Sequence, residues 1–114
     1  MSITHMLSTV NEYQKETHRV DHSDLRPEVR MHYVRQYSLA LVVEQVELLQ
    51  TLPWKPWKYN ACNPGQYDKK EATKEWCDCL IFLLDQALAL DLNAEEIETT
   101  FHEIIKHKSV IQKT

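Results

Sequence analysis

Apolar positions recur along the chain at spacings of three and four, the period of a helix buried on one side. Ile3, Met6, Leu7, Val10 and Tyr13 form the first such stripe and predict a helix from about Ser2 to Arg19. A polar stretch, Val20 to Arg26, separates it from a second helix. Pro27 suits the first turn of that helix, where a missing N–H breaks no hydrogen bond, and Ser23 or Asp24 is its expected cap. The second helix runs to about Leu52, where Pro53 and Pro56 stop it. A third spans about Lys69 to Leu90. Asn93 followed three residues later by Glu96 has the capping-box pattern and opens a fourth helix. That helix carries Ile97, Phe101, Ile104 and Ile111 along one face. The segment from Pro53 to Tyr67 is the long irregular connection. Four helices with otherwise short links predict a single all-α domain over residues 1–114, built as a four-helix bundle.

Carboxylates interrupt this pattern in two places. In Ser38-Leu-Ala-Leu-Val-Val-Glu-Gln-Val-Glu-Leu-Leu-Gln50 the only charges are Glu44 and Glu47, which share a helix face. The third helix carries Glu71, Glu75, Asp78 and Asp85 in one stripe beside Cys79-Leu-Ile-Phe-Leu-Leu84. An ionised carboxylate on a buried face is costly unless a cation meets it, and clustered acids raise one another's pKa values. A divalent metal resolves that conflict; otherwise both stripes are solvated faces of an open bundle. The donors are all oxygen, which selects a hard cation, magnesium or manganese, over zinc. Asp85 reads either as support for such a site or as one half of a local pair. No glutamate has a histidine three residues on, as a ferritin-like di-iron site requires. His18 and His22 stand four apart, but at the expected end of the first helix, and read as exposed helix-end residues rather than zinc ligands.

Composition narrows the rest. The chain has one glycine, Gly65, and four prolines. A P-loop or a dinucleotide-binding turn cannot be written with one glycine, so any phosphate must be held by other means. Hydrophobic residues make up 43% of the chain and charged residues 26%, enough apolar content for a folded core. A net charge of −4 disfavours a nucleic-acid partner. The longest apolar runs, Leu39 to Val43 and Leu80 to Leu84, fall far short of the roughly 18 residues of a membrane span. The first residues lack a signal-peptide layout, and three cysteines, two of them Cys77 and Cys79, make no disulfide framework. A cytoplasmic home is expected, the host cytoplasm if the chain is phage-encoded. From Cys79 to Leu90 the third helix is apolar around most of its circumference, which predicts a homo-oligomer, a dimer or a tetramer.

The connecting segment begins Leu52-Pro-Trp-Lys-Pro-Trp-Lys58. Aromatic rings there can stack on a nucleobase while lysines meet phosphate, or the tryptophans can plug the end of the bundle. Glu44-Gln-Val-Glu47, a gap of 27 residues and then Glu75-Trp-Cys-Asp78 resembles the Glu-x-x-Glu…Glu-x-x-Asp signature of the all-α nucleoside triphosphate pyrophosphohydrolases, which include the MazG proteins, the dimeric dUTPases and the dCTP pyrophosphatases. The Trp-Lys element after the first acidic helix looks most like the dUTPase and dCTPase branch. The likeness covers roughly residues 30 to 113, and the first helix is expected to match as well. The tail departs from the family, with His107 after Lys106, Val110 where an asparagine is common, and Lys113 in place of an arginine.

The resemblance implies magnesium-dependent hydrolysis of a nucleoside triphosphate to the monophosphate and pyrophosphate. In this chain Glu44, Glu47, Glu75 and Asp78 would hold the metal, and Glu47 or Glu44 would orient or deprotonate the water. Lys55, Lys58, Lys106 and Lys113 are the expected phosphate contacts. Trp54, Trp57, Gln14 and His18 are the expected base contacts, with Asn11 and Asn60 as further polar candidates. A dUTP- or dCTP-like substrate is favoured, with a purine nucleotide or a non-catalytic nucleotide- or protein-binding module as the alternatives.

Overall fold

The computed structural model describes residues 1–55, 57 and 67–113, the last three without their side chains. Its described part is helical, with four long helices and no strand: α1 (Ile3–Tyr13), α2 (Pro27–Gln50), α3 (Lys69–Ala89) and α4 (Ala94–Lys113). The ends follow from local chemistry. Ser2 caps α1 by accepting from the His5 N–H at 3.1 Å. Asp68 caps α3 through the N–H groups of Lys70 and Glu71. Asn93 and Glu96 form the expected reciprocal capping box, at 2.8 and 3.1 Å.

Two details differ from the sequence reading. The first helix does not run evenly to Arg19: from Gln14 to His18 it widens into a π-helical turn and ends at Arg19, whose φ of 59° is left-handed. The second helix is not capped by Ser23 or Asp24. Those residues belong to a short 3₁₀ turn (His22–Asp24) capped by Asp21, and α2 starts at Arg26 without a side-chain cap, with Pro27 in its first turn as expected. The turn from α3 to α4 also passes through a left-handed residue, Asp91 at φ 59°, where glycine is the usual occupant.

α2 and α3 pair antiparallel. Going up α2 and down α3, Arg30 lies opposite Ala89, Ser38 opposite Gln86, and Glu44 opposite Glu75 and Asp78. Arg30 Nη1 donates to the Ala89 carbonyl at 2.6 Å, meeting one of the unpaired carbonyls at the end of α3, and Nη2 reaches the Leu25 carbonyl at 3.4 Å. Gln86 Nε2 donates to Ser38 Oγ at 2.9 Å. α1 lies on the far part of α3, where Leu7 and Val10 meet Leu84 and Ala87 in the core, flanked by Ile3, Met6, Leu80, Leu88, Ala94 and Ile97.

α4 joins this core only by its first turns. Beyond Ile97 every residue with a described side chain is exposed, including Phe101 and Ile104, which the sequence placed on a packing face. The second half of α2 is equally bare: Leu39 is 64% exposed and Val42 61%. The radius of gyration is 17.6 Å, against about 13 Å for a compact chain of this length. Among the described residues no helix is long and apolar enough to cross a membrane.

The Arg30 contact ties the start of α2 to the end of α3 and to the incoming connection. Arg30→Ala is expected to lower stability by about 1.5–3 kcal/mol, since the Ala89 and Leu25 carbonyls lose a charged donor. Arg30→Lys restores only part, having no second planar donor for Leu25. Urea unfolding checks both; an unchanged midpoint in Arg30→Ala removes the contact from the account of the fold.

Candidate active site

The antiparallel pairing of α2 and α3 sets carboxylates against one another. Glu44, Glu75 and Asp78 each present an oxygen within 4.8 Å of the others, and all three are half-buried. It is the one such acidic or metal-ligating group among the described residues. One oxygen each of Glu44 and Glu75 is buried with no hydrogen-bond partner. Burial, then the charges of Glu47, Asp78 and Glu75, hold Glu44 above the usual carboxylate range. Burial, Glu47, Asp78 and Glu71 do the same for Glu75. Unpaired buried oxygens, mutual repulsion and an all-oxygen donor set are what a hard divalent cation relieves, so these residues fit one. Glu47 stands one turn on from Glu44, on the exposed side, outside the tight trio but close enough to act on both Glu44 and Glu75.

From Glu44 and Asp78 a cavity of ≈ 520 Å³ extends toward α1. Its walls are Thr9, Val10, Tyr13, Gln14 and His18 from α1 and the π turn, and Ile81, Phe82 and Asp85 from α3. Gln14 and His18, named from the sequence as base contacts, are thus brought to the acids. They form a chain: His18 Nδ1 donates to Gln14 Oε1 at 2.8 Å, and Gln14 Nε2 donates to Asp85 Oδ1 at 3.0 Å. The wide π turn puts both side chains on the cavity side; such turns recur at functional sites. Asp85 is fully buried and its Oδ2 has no partner. Burial raises it to about 6, against the smaller lowering effects of the Gln14 hydrogen bond and of His18.

The tryptophan element lies elsewhere. Trp54 lines a second, mainly apolar cavity of ≈ 660 Å³ with Leu48, Leu52, Pro53, Tyr67, Lys69, Ala72, Thr73 and Trp76, on the other side of the acids along the helix pair. Trp57 packs edge-on to Trp54 at 5.7 Å and is exposed, and Lys55 Nζ sits 5.3 Å from the Trp54 ring. Lys106 is on the exposed part of α4, away from the acids within one chain. Lys58 and Asn60 lie outside the described residues, as does the side chain of Lys113. Asn11 faces a separate cavity between α1, the end of α3 and the start of α4.

Sequence reasoning did not find Phe82, Tyr13 or Thr9, and left the role of Asp85 open. Their signal is the juxtaposition of α1 with α3, which no short motif carries. His22, read from the sequence as an exposed helix-end residue rather than a zinc ligand with His18, is instead buried against Tyr37, with 2.7 Å between His22 Nε2 and the tyrosine oxygen. Burial lowers His22 below its usual range, so it is neutral at pH 7.

Among the described residues the fold is all-helical, with facing acidic helices beside a side-chain-lined cavity, and it fits the class of all-α nucleoside triphosphate pyrophosphatases, which includes the dimeric dUTPases and the MazG-like proteins. A family model described as dUTPase matches residues 2–113, and the chain belongs to that family. No curated protein and no solved structure matches the chain. Membership supports activity of the nucleoside triphosphate pyrophosphatase kind.

Asp85 gives the site a stability signature. The folded chain takes up a proton on Asp85 as pH falls through about 6, while the unfolded chain does so only near 3.8. Burying the ionised carboxylate therefore costs stability above pH 6, and that cost vanishes below the unfolded value. Asp85→Asn removes it. In chelator, Asp85→Asn is expected to gain on the wild type by about 1–3 kcal/mol more at pH 7.5 than at pH 4. Equal differences at the two pH values, by urea unfolding, contradict the desolvated carboxylate.

Proposed function

We propose that the protein hydrolyses a deoxynucleoside triphosphate to the monophosphate and pyrophosphate, with magnesium, or manganese in its place. The observation that carries this reading is the trio Glu44, Glu75 and Asp78, with unpaired buried oxygens, opening onto a cavity large enough for a nucleoside. Membership of a family described as dUTPase supports a pyrimidine nucleotide such as dUTP, and the Trp-Lys element that resembles the dUTPase and dCTPase branch keeps dCTP beside it.

Glu44, Glu75 and Asp78, with Glu47 beside them, are the residues that would hold the metal. Bound there, a divalent ion supplies charge to offset the triphosphate and increases the acidity of a nearby water. Glu47 is exposed and adjoins Glu44, which suits it to orient the attacking water and take its proton on a carboxylate oxygen. The water oxygen bonds to the α-phosphorus as the bond to the bridging oxygen of the β-phosphate breaks, and pyrophosphate leaves with that oxygen. Lys55, and Lys58 from the same connection, are placed in sequence to meet phosphate. The nucleoside lies toward Tyr13, Gln14, His18 and Phe82. Trp54 and Trp57 then close the opposite side, where the second cavity is, instead of stacking on the base.

The same reading requires more than one chain. The bare faces of α2 and α4, with Leu39, Val42, Val43, Val46, Phe101 and Ile104 exposed, are those a second copy covers. Lys106 and Lys113 on α4 would then serve a neighbouring subunit's substrate.

Incubation with each deoxynucleoside triphosphate and magnesium is expected to release pyrophosphate from at least one. Glu47→Ala and Glu75→Ala should each reduce kcat at least a hundredfold. No turnover of any substrate, or full activity in Glu47→Ala, rejects the reading in favour of a binding module. Light scattering at micromolar concentration should give the mass of a dimer or tetramer; a monomer refutes the assembly.

A further inference from the structure

Asp85 is a residue that the fold alone does not account for. It is fully buried on α3, no cation pairs with it among the described residues, and its Oδ2 has no hydrogen-bond partner. A buried carboxylate with part of its acceptor capacity unused costs stability, and an uncharged residue of similar size costs less. Its Oδ1 accepts from Gln14 Nε2 at 3.0 Å. Gln14 is itself only 5% exposed, and its Oε1 lies 2.8 Å from Nδ1 of the exposed His18. The three side chains form one hydrogen-bonded chain along the cavity wall, graded from fully buried Asp85 through Gln14 to His18.

That chain has a direction, and Asp85 sets it. Burial raises Asp85 to about 6, so at pH 7.5 it is ionised and can only accept. The Gln14 amide must therefore turn its nitrogen toward Asp85, which leaves Oε1 to His18 and requires the His18 proton on Nδ1. A reversed amide has nearly the same shape but exchanges N–H for C=O, so the polarity of the wall follows from its orientation. A base presents fixed donors and acceptors, and its affinity depends on meeting the right polarity. Resting on the nucleotide-hydrolase reading above, we propose that Asp85 is a positioning residue for recognition of the pyrimidine base: it touches no substrate, and acts by holding the Gln14 amide, and through it the His18 ring, in the one orientation that suits the base. The carboxylate is then kept for affinity at the expense of stability, a common exchange at functional sites.

The test is calorimetric binding of dUMP and dCMP to the full chain in chelator at pH 7.5, which needs neither turnover nor metal. Asp85→Asn is expected to weaken the better-bound monophosphate about tenfold or more, while urea unfolding finds the variant at least as stable as the wild type. Gln14→Ala should weaken binding to a similar degree. Adding Asp85→Asn to Gln14→Ala should change affinity by less than about twofold further, because Asp85 acts through Gln14. In turnover of the triphosphate the loss in Asp85→Asn should fall on KM rather than on kcat. Wild-type affinity in Asp85→Asn, a loss that persists undiminished in the Gln14→Ala background, a joint loss of affinity and stability, or no binding of either monophosphate overturns the proposal. Failure to hydrolyse any triphosphate while this coupling holds overturns the hydrolase reading and leaves the positioning role standing. Hydrolysis without the coupling does the reverse.

Discussion

Three carboxylates facing one another across an antiparallel helix pair are the constraint on which the rest of this structure turns. Pairing α2 with α3 buries apolar surface but forces Glu44 against Glu75 and Asp78. Like charges at such separations repel by several kcal/mol when partly desolvated, so the pair cannot be held by its middle. It is held at one end. Arg30 closes the last turn of α3, Gln86 reaches Ser38, and α1 packs its leucine and valine onto the same part of α3. The acids are held together by the packing and hydrogen bonds of the scaffold beside them. Burial first, and then this repulsion, makes Glu44 and Glu75 hold protons more readily than free carboxylates do. Fixed oxygens on rigid helices are what pre-organised binding of a hard cation needs.

A second constraint is the scarcity of glycine. With one in the whole chain, the left-handed turns that end the π turn and α3 fall to Arg19 and Asp91, each at a steric cost that glycine would avoid. On the proposed reading the phosphate-holding task would shift in the same way, from backbone N–H groups in a tight loop to a carboxylate-held cation and lysine side chains. The residual apolar faces of α2 and α4 are the counterpart on the outside. The described part of the chain leaves these faces uncovered, and the proposed second copy would cover them.

Much of the architecture was legible because it is written at short range. Helical spacing gave four helices, the Asn93 and Glu96 pair marked the start of α4, and Pro27 marked the start of α2. Glu44, Glu75 and Asp78 stood out because acids in an apolar stretch violate the pattern around them. The π turn was not legible, since its cause is the fit of Gln14 and His18 to a helix far away in sequence. The same holds for the expected cap at Ser23 or Asp24: either residue type can cap, but the chain spends that segment on a 3₁₀ turn. Trp54 and Trp57 carried a compositional signal for base stacking that says nothing about which side of the acids they occupy.

The sequence by itself determined the helices and the acidic signature, because periodicity and the clash of charge with an apolar stretch act through neighbours along the chain. Only the tertiary structure decided that Gln14 and His18 reach Asp85, that the cavity opens on their side of the acids, and that α4 stands away from the core. Those outcomes depend on contacts between residues as much as 71 positions apart, Gln14 with Asp85, and on the angle at which whole helices cross. No local preference encodes such a contact; it forms only when burial of the shared core brings α1 onto α3.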